Sequence, residues 1–232
     1  MSQEQFWHVV ERTASKQRFD KYLSASENDG AQALKLYQWN TEISSAFWGQ
    51  LGHMEIALRN TISNRISLYS QKVYKEDDWI SISRKKEIFA SGELDRINEA
   101  QVRVANNKNE VSLDQIVSEL PLGFWATLLG RRYRNLWPEL AGGFLGLASR
   151  DSKGLVHFVQ EARWLRNRIG HHHRIWNLNL ENHHLGILRI SHLIDPEFER
   201  WLSSVSTVPE LLIHRPKTAP GNQRSSSEGI LG

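Results

Sequence analysis

Apolar side chains recur at helical spacing from Ala31 to Tyr69, and no proline interrupts them. Most of the spacings are three, four or seven residues, which places these side chains on one face of a long amphipathic helix. The positions are Leu34, Tyr37, Ile43, Phe47, Met54, Leu58, Ile62 and Ile66. Gly49 and Gly52 lie in the middle, where they are expected to weaken or bend the helix. A stripe of this length indicates a mainly helical fold.

Helical patterns account for most of the remaining chain. They recur over 80–105 and 155–169, and another is expected to begin at Leu185. No hairpin signature and no alternation of strands with helices appears. The pattern therefore predicts an all-α single domain over residues 1–213. Residues 214–232 are rich in Ser, Pro and Gly and poor in apolar side chains, which is typical of a disordered tail.

Three local signals predict where helices of the middle segment begin and end. Ser112 is followed three residues later by Gln115, which is the spacing of a capping box at the start of a helix. Pro121 is expected to interrupt the chain before a new helix. That helix is expected to stop at Pro138, because the residue before a proline disfavours the helical region.

Composition excludes several classes of site. The 232 residues include no cysteine, which rules out disulfides, thiol catalysis and cysteine-ligated zinc or iron–sulfur sites. No window approaches the roughly 20 apolar residues of a membrane span, and no signal peptide is recognised, so a cytoplasmic protein without membrane contact is expected. Walker, dinucleotide-binding and serine-hydrolase motifs are absent as well. The net charge of +3 is too small to indicate binding of bulk polyanions by itself.

Five of the ten histidines fall close together, at 171–173 and 183–184. Adjacent histidines on a helix point in different directions, so they share one metal ion only if the fold brings His171 near His183 or His184. Neither an HExxH motif nor a carboxylate triad accompanies them, so neither a metal site nor a cofactor is predicted. The roles of His173, His183 and His184 stay open.

Residues 161–177 carry the densest set of groups suited to phosphate chemistry. Projected on a helix, one polar stripe contains Arg163, Asn167, His171 and Arg174. Arginine offers planar, paired donors to phosphate oxygens, and histidine transfers protons near neutral pH. A solvated helix face has the same composition, so the stripe alone is compatible with either interpretation.

Arg166 does not follow that stripe. It projects about 20° from the centre of the apolar face, so a regular helix would direct it towards the core, where a guanidinium needs a partner. It also projects about 140° away from His171. Either Gly170 bends the helix beside His171, or the two residues serve different halves of a site built between two chains. The second alternative predicts a homodimer.

Two further segments carry candidate residues. Glu55 and Arg59 are spaced to form an ion pair along a helix, and Asn60 follows on another face. Helix pairing is the simpler interpretation, and the alternative is that Glu55 or Asn60 partners Arg166. Residues 120–140 interleave arginines with aromatic side chains, which favours either single-stranded nucleic-acid binding or a core with a basic rim.

Residues 166–177, RNRIGHHHRIWN, resemble the RNxx(small)HHxRxWN signature of Abi-like (abortive infection) proteins of the HEPN superfamily. Upstream blocks resemble the same family in the same order. They are LYQWNTEIS at 36–44, EIALRNTISNRI at 55–66 and the segment 120–140. Gly170 stands where alanine is common in that family.

The resemblance implies an all-α HEPN bundle that dimerises, and a metal-independent endoribonuclease that acts on RNA in phage defence. It assigns catalysis to Arg166, Asn167 and His171. Beside these residues, we expect Arg163, His172 and Arg174 to contact the RNA substrate. We expect supporting roles for Glu55, Arg59 and Asn60. An antitoxin, either protein or RNA, is a further expected partner. Because some HEPN proteins bind without turnover, a non-catalytic module that binds RNA or a partner protein is the alternative.

Overall fold

A computed structural model describes residues 9–10, 12–13, 15–107, 111–148 and 153–218. These residues are all-α, as predicted, with no strand among them. The helices are α1 Lys16–Ala25, α2 Gly30–Tyr74, α3 Trp79–Lys85, α4 Ser91–Asn107, α5 Leu113–Glu119, α6 Leu122–Leu128, α7 Trp137–Leu140, α8 Lys153–Gly170, α9 Leu180–Ile194, α10 Pro196–Val205 and α11 Val208–Ile213. Within the described ranges no helix has the length and apolar character needed to cross a bilayer. Most of the predicted disordered tail, 219–232, lies outside the described residues.

The chain divides into two compact units. Unit 1 comprises Met1–Gln50, Leu165–Leu185 and Val205–Gly232, and unit 2 comprises Leu51–Trp164 and Gly186–Ser204. Four of the described helices, α2, α8, α9 and α10, contribute residues to both units, although α10 adds only Val205 to unit 1. Helix α2 crosses the boundary between the units, at Gln50 and Leu51, without interruption, and it continues through Gly49 and Gly52. The single domain over 1–213 stays a prediction.

Unit 1 contains an aromatic cluster that includes a residue of the Abi-like signature. Tyr22 of α1 lies 5.3 Å from the ring of Tyr37 on α2 and 6.1 Å from the ring of Trp176. Burial raises the pKa of Tyr22 to about 12. Trp176 is buried as well, so the chain segment that follows His171 is attached to the apolar interior of this unit.

Unit 2 contains the aromatic residues of the 120–140 segment. Trp125 and Tyr133 are buried, and Trp125 packs edge-to-face on Trp79 at 6.4 Å between ring centroids. The Tyr133 hydroxyl donates to Glu93 Oε2 at 2.6 Å. Exposed arginines flank this core at Arg131, Arg132 and Arg134. The interpretation as a core with a basic rim is confirmed for these aromatic rings.

The boundaries of the short helices follow local capping. The capping box at the start of α5 is confirmed, because Gln115 N donates to Ser112 Oγ at 3.3 Å and Ser112 N donates to Gln115 Oε1 at 3.1 Å. The predicted stop at Pro138 is wrong. Pro138 lies in the first turn of α7, where a residue needs no backbone N–H partner.

Helix α9 begins earlier than predicted, at Leu180 rather than Leu185. Asn179 Oδ1 accepts the backbone N–H of Asn182 at 3.1 Å, which satisfies one of the free donors at the helix start. The end of the polar stretch before Leu185 is therefore the first turn of the helix. On this turn His183 is half-buried and His184 is buried.

The C-terminal end of α9 is capped by a close backbone approach. Leu145 N donates to the carbonyl of Ile194 at 3.0 Å, and Gly146 N donates to the carbonyl of Leu193 at 3.1 Å. These bonds satisfy carbonyls that a helix end leaves unpaired. A Cβ on Gly146 would overlap the carbonyl oxygen of His192, so this position requires glycine.

Gly146→Ala is expected to lower the free energy of unfolding by about 3 kcal/mol, because the backbone must move to relieve the overlap. The matched control is Gly52→Ala in α2, where a Cβ would meet no atom within 4 Å. That variant should gain about 0.5–1 kcal/mol from helix propensity. Urea unfolding of both variants beside the wild type measures the two effects. Equal stabilities would contradict the packing described for Gly146.

Candidate functional site

The candidate site begins where α8 ends. His172 N donates to the carbonyl of Ile169 at 2.8 Å, and His173 N donates to the carbonyl of Arg168 at 2.8 Å. These two bonds form a Schellman motif, which closes a helix through one residue in the left-handed region. His172 is that residue, with a φ of 54°. The turn reverses the chain directly after His171.

This helix end corrects the predicted polar stripe. Arg163 and Asn167 lie on α8, and His171 N donates to the carbonyl of Asn167 at 2.9 Å, as in a further helical turn. Arg174 lies beyond the left-handed residue His172 and does not continue the face of the helix. Gly170 is the last residue of α8, and the left-handed residue that ends the helix comes two residues later, at His172. The bend at Gly170 stays a prediction. His171 is exposed, at the point where the helix gives way to the turn.

Arg166 is half-buried in unit 1. Its guanidinium carbon lies 5.1 Å from the centroid of the Trp48 ring, a cation–π contact. A Cβ on Gly170 would lie 3.8 Å from Arg166 Nη1, so the guanidinium reaches the last residue of α8. The side chain is therefore not enclosed in the core as the helical projection predicted, and Trp48, itself 46% exposed, offers it an aromatic face.

Asn40 of α2 anchors the chain that follows the turn. Its buried Oδ1 accepts the backbone N–H groups of Ile175 at 2.8 Å and of Trp176 at 3.0 Å. One amide oxygen thus satisfies two buried donors that no helix or sheet would pair. Asn40 fixes where the segment leaves the turn.

Three arginines donate to backbone carbonyls of the same segment. Arg18 Nη2 of α1 donates to the carbonyl of His172. Arg168 Nη2 donates to the carbonyl of Arg174 at 2.8 Å, and Arg215 Nη2 donates to the carbonyl of Trp176. Arg215 falls at the start of the predicted disordered tail, yet its guanidinium also lies 5.6 Å from the Trp39 ring. The turn is therefore held by positively charged groups from before and after it in the chain.

Two imidazoles face the solvent together on this turn. The ring centroids of His171 and His173 lie 6.0 Å apart, and both residues are exposed. The pKa of His173 is lowered from its usual 6.5 by desolvation and then by nearby positive charges, in decreasing order Arg168, His171, Arg18 and Arg174. The lowered pKa favours the neutral form of His173, the state in which a ring nitrogen accepts a proton.

His184 has a structural role in unit 1. It is buried, and its Nδ1 lies 3.0 Å from Gln50 Nε2 and 3.1 Å from Gln50 Oε1, so either neutral tautomer finds a partner. Burial lowers the pKa of His184 below 6.5. In the described part of the chain no cluster of three or more histidines or carboxylates is arranged to hold a metal ion.

The wild-type protein is expected to lose stability as the pH falls from about 7.5 to about 5.5, partly through His184. Its folded-state pKa lies below the unfolded value near 6.5, so the unfolded state takes up more protons in this window. The stabilisation is present above about pH 6.5 and is lost as the pH falls. Denaturant unfolding of His184→Gln should show a flatter pH dependence, whereas the exposed His157→Gln should follow the wild type. Parallel curves for all three would contradict this role.

The remaining predicted residues belong to unit 2. Arg163 lies against Gly123, where a Cβ would approach Arg163 Nε to 3.3 Å. Arg59 Nη1 donates to the carbonyl of Ser118 at 3.3 Å. Asn60 is exposed and Glu55 is half-buried. The pairing of Glu55 with Arg59, and the alternative pairing with Arg166, both stay predictions.

Five side chains at this site were not predicted from the sequence. They are Arg18, Asn40, Trp48, Arg168 and Arg215. A signal existed only for Asn40, which lies in the LYQWNTEIS block that resembles the Abi-like family. The others act through contacts across the fold, which spacing along the chain does not reveal.

The arrangement suits an anionic ligand that undergoes proton transfer. Exposed imidazoles supply and accept protons, and neighbouring guanidinium groups stabilise negative charge on phosphate oxygens. The turn that carries the imidazoles is fixed by backbone hydrogen bonds, which keeps such groups in a constant geometry.

Comparison with known proteins identifies the family. The model of the Abi-like protein family matches residues 2–177, about three quarters of the chain, and the match ends on the last residue of the signature. No curated protein and no solved structure matches the chain. The match includes the site residues from Arg18 and Asn40 through Asn177, whereas Arg215 lies beyond it. The chain therefore belongs to the family of Abi-like proteins.

Proposed function

We propose that this Abi-like chain is a metal-independent endoribonuclease of the HEPN superfamily that cuts RNA in phage defence. The observation that carries the proposal is the placement of the Arg166–His171 motif. Arg166 reaches the end of α8 across Trp48, and His171 is exposed on the turn that begins there. Family membership adds support, because the motif lies inside the matched segment.

The side chains of Arg166, Asn167 and His171 suit the cleavage of an RNA phosphodiester by its own ribose 2′-oxygen. Attack by the ribose 2′-oxygen on phosphorus builds negative charge on the phosphate oxygens, which a guanidinium stabilises with paired donors. His171 moves a proton to or from an oxygen of the reacting ester. Asn167, exposed on the last turns of α8, orients the reacting groups. Arg163, His172 and Arg174 hold flanking nucleotides in this proposal.

The test of the proposal is to incubate purified protein with end-labelled single-stranded RNA in excess EDTA. The expected result is cutting with chelator present, giving fragments that end in a 2′,3′-cyclic phosphate and a 5′-hydroxyl. DNA of the same sequence should stay intact, because it lacks the attacking 2′-oxygen. His171→Ala purified in parallel controls for contaminating ribonucleases.

Two results would oppose the proposal. Equal cutting by His171→Ala would place the chemistry elsewhere or in a contaminant. RNA binding without turnover across varied sequences would instead favour the non-catalytic module. Growth arrest by the expressed wild type, absent with His171→Ala, would support the toxin role, and an antitoxin of protein or RNA would then be sought as the partner that restrains it.

The proposed active form is a homodimer in which the motifs of two copies meet. Light scattering at micromolar concentration should give about twice the 26.8 kDa chain mass. A monomer that cuts RNA at full rate would show that one copy is sufficient.

A further inference from the structure

We propose that His173 is a second catalytic residue of this chain, acting as the general base that takes the proton of the ribose 2′-hydroxyl while His171 acts as the general acid. The inference rests on the proposed ribonuclease function. His173 stands at the variable position of the HHxR signature, so the resemblance assigns it no role. The geometry points to it.

The turn brings the two imidazoles to one surface. Residues two apart on a regular helix face different directions, but the left-handed residue His172 separates these two and reverses the chain between them. Their ring centroids consequently lie 6.0 Å apart with 45° between the ring planes. Each ring nitrogen needs about 2.6–3.2 Å to its oxygen, so the gap admits a phosphodiester whose attacking and leaving oxygens each face one ring.

The charges around His173 suit a base. Groups from α1, α8 and the turn face it, and those that carry charge are Arg18, Arg168, Arg174 and, when protonated, His171. These positive charges favour the neutral ring and attract the phosphate of the substrate. A neutral imidazole is the form that accepts a proton.

The step is balanced within the substrate and the two rings. The 2′-oxygen forms a bond to phosphorus while the bond between phosphorus and the 5′-oxygen breaks. The 2′-hydroxyl proton passes to neutral His173, and the imidazolium of His171 gives its proton to the departing 5′-oxygen. The products are a 2′,3′-cyclic phosphate and a 5′-hydroxyl, and exchange with water resets the two rings.

The first test is the pH dependence of kcat/KM on a dinucleotide substrate, measured for wild type, His173→Gln and the exposed control His157→Gln. The wild type should give a bell-shaped profile. His173→Gln should lose the acidic limb and about 10²–10³-fold in rate near pH 7, with unchanged thermal stability. His157→Gln should match the wild type. A wild-type profile for His173→Gln would overturn the inference while leaving the ribonuclease proposal standing.

The second test separates base from acid with uridine 3′-(p-nitrophenyl phosphate), whose leaving group departs without a proton. His171→Ala should recover most of its lost rate on this substrate, whereas His173→Gln should stay slow. The opposite pattern would overturn the assignment of roles. No cleavage of any substrate by the wild type would overturn the proposed function and this inference with it.

Discussion

Replacing His171 with alanine is expected to slow RNA cleavage by about 10²–10⁴-fold, the usual contribution of one general acid or base. The side chain is exposed, so its removal should leave the fold intact. Single-turnover cleavage of a labelled RNA in EDTA measures the rate, and thermal unfolding of both proteins checks the stability.

The control for this variant is His172→Gly. Glycine adopts the left-handed φ of 54° without strain, so the Schellman turn is kept while the neighbouring imidazole is removed. Because His172 contributes at most one contact to the substrate, the rate should fall by about tenfold or less. A larger loss with His172→Gly than with His171→Ala would show that the two roles are assigned in the wrong order.

Replacing Asn40 with alanine is expected to lower the free energy of unfolding by about 3 kcal/mol, because two buried N–H groups lose their shared acceptor. These donors belong to Ile175 and Trp176, next to the turn that carries His171. Cleavage should therefore fall together with stability. Urea unfolding and the cleavage assay on one preparation measure both.

Asn60→Ala is the matched control for Asn40. It removes an exposed asparagine from the same helix, so it should change the free energy of unfolding by less than about 0.5 kcal/mol. If Asn40→Ala were as stable as Asn60→Ala, the amide oxygen of Asn40 would not be holding the turn.

Periodicity predicted the fold class because burial of an apolar face dominates helix formation. The stripe from Leu34 to Ile66 became one continuous helix through two glycines, since packing on both sides of them outweighs a propensity loss of about 1 kcal/mol each. The predicted role of Pro138 was wrong because a proline can either end a helix or lie in the first turn of the next one. The conformation of the surrounding backbone decides between these two roles.

The candidate site was predicted in composition but not in geometry. Residues 166–177 carried the signature, but the end of α8 could not be predicted. The left-handed residue that follows a helix is usually glycine, and here it is His172. The position of Arg166 depended on Trp48, more than a hundred residues earlier. Contacts of that kind follow from the tertiary fold and not from local spacing.

Because His172 adopts a left-handed backbone conformation, the two adjacent histidines are constrained in different ways. In the proposed mechanism, substitution at His171 changes the proton transfer, whereas substitution at His172 acts mainly through the backbone angle that positions its neighbours. Glycine or asparagine introduced at His172 should therefore keep the turn, since both residues adopt a positive φ readily. β-Branched residues should be excluded there even where their polarity would suit the surface.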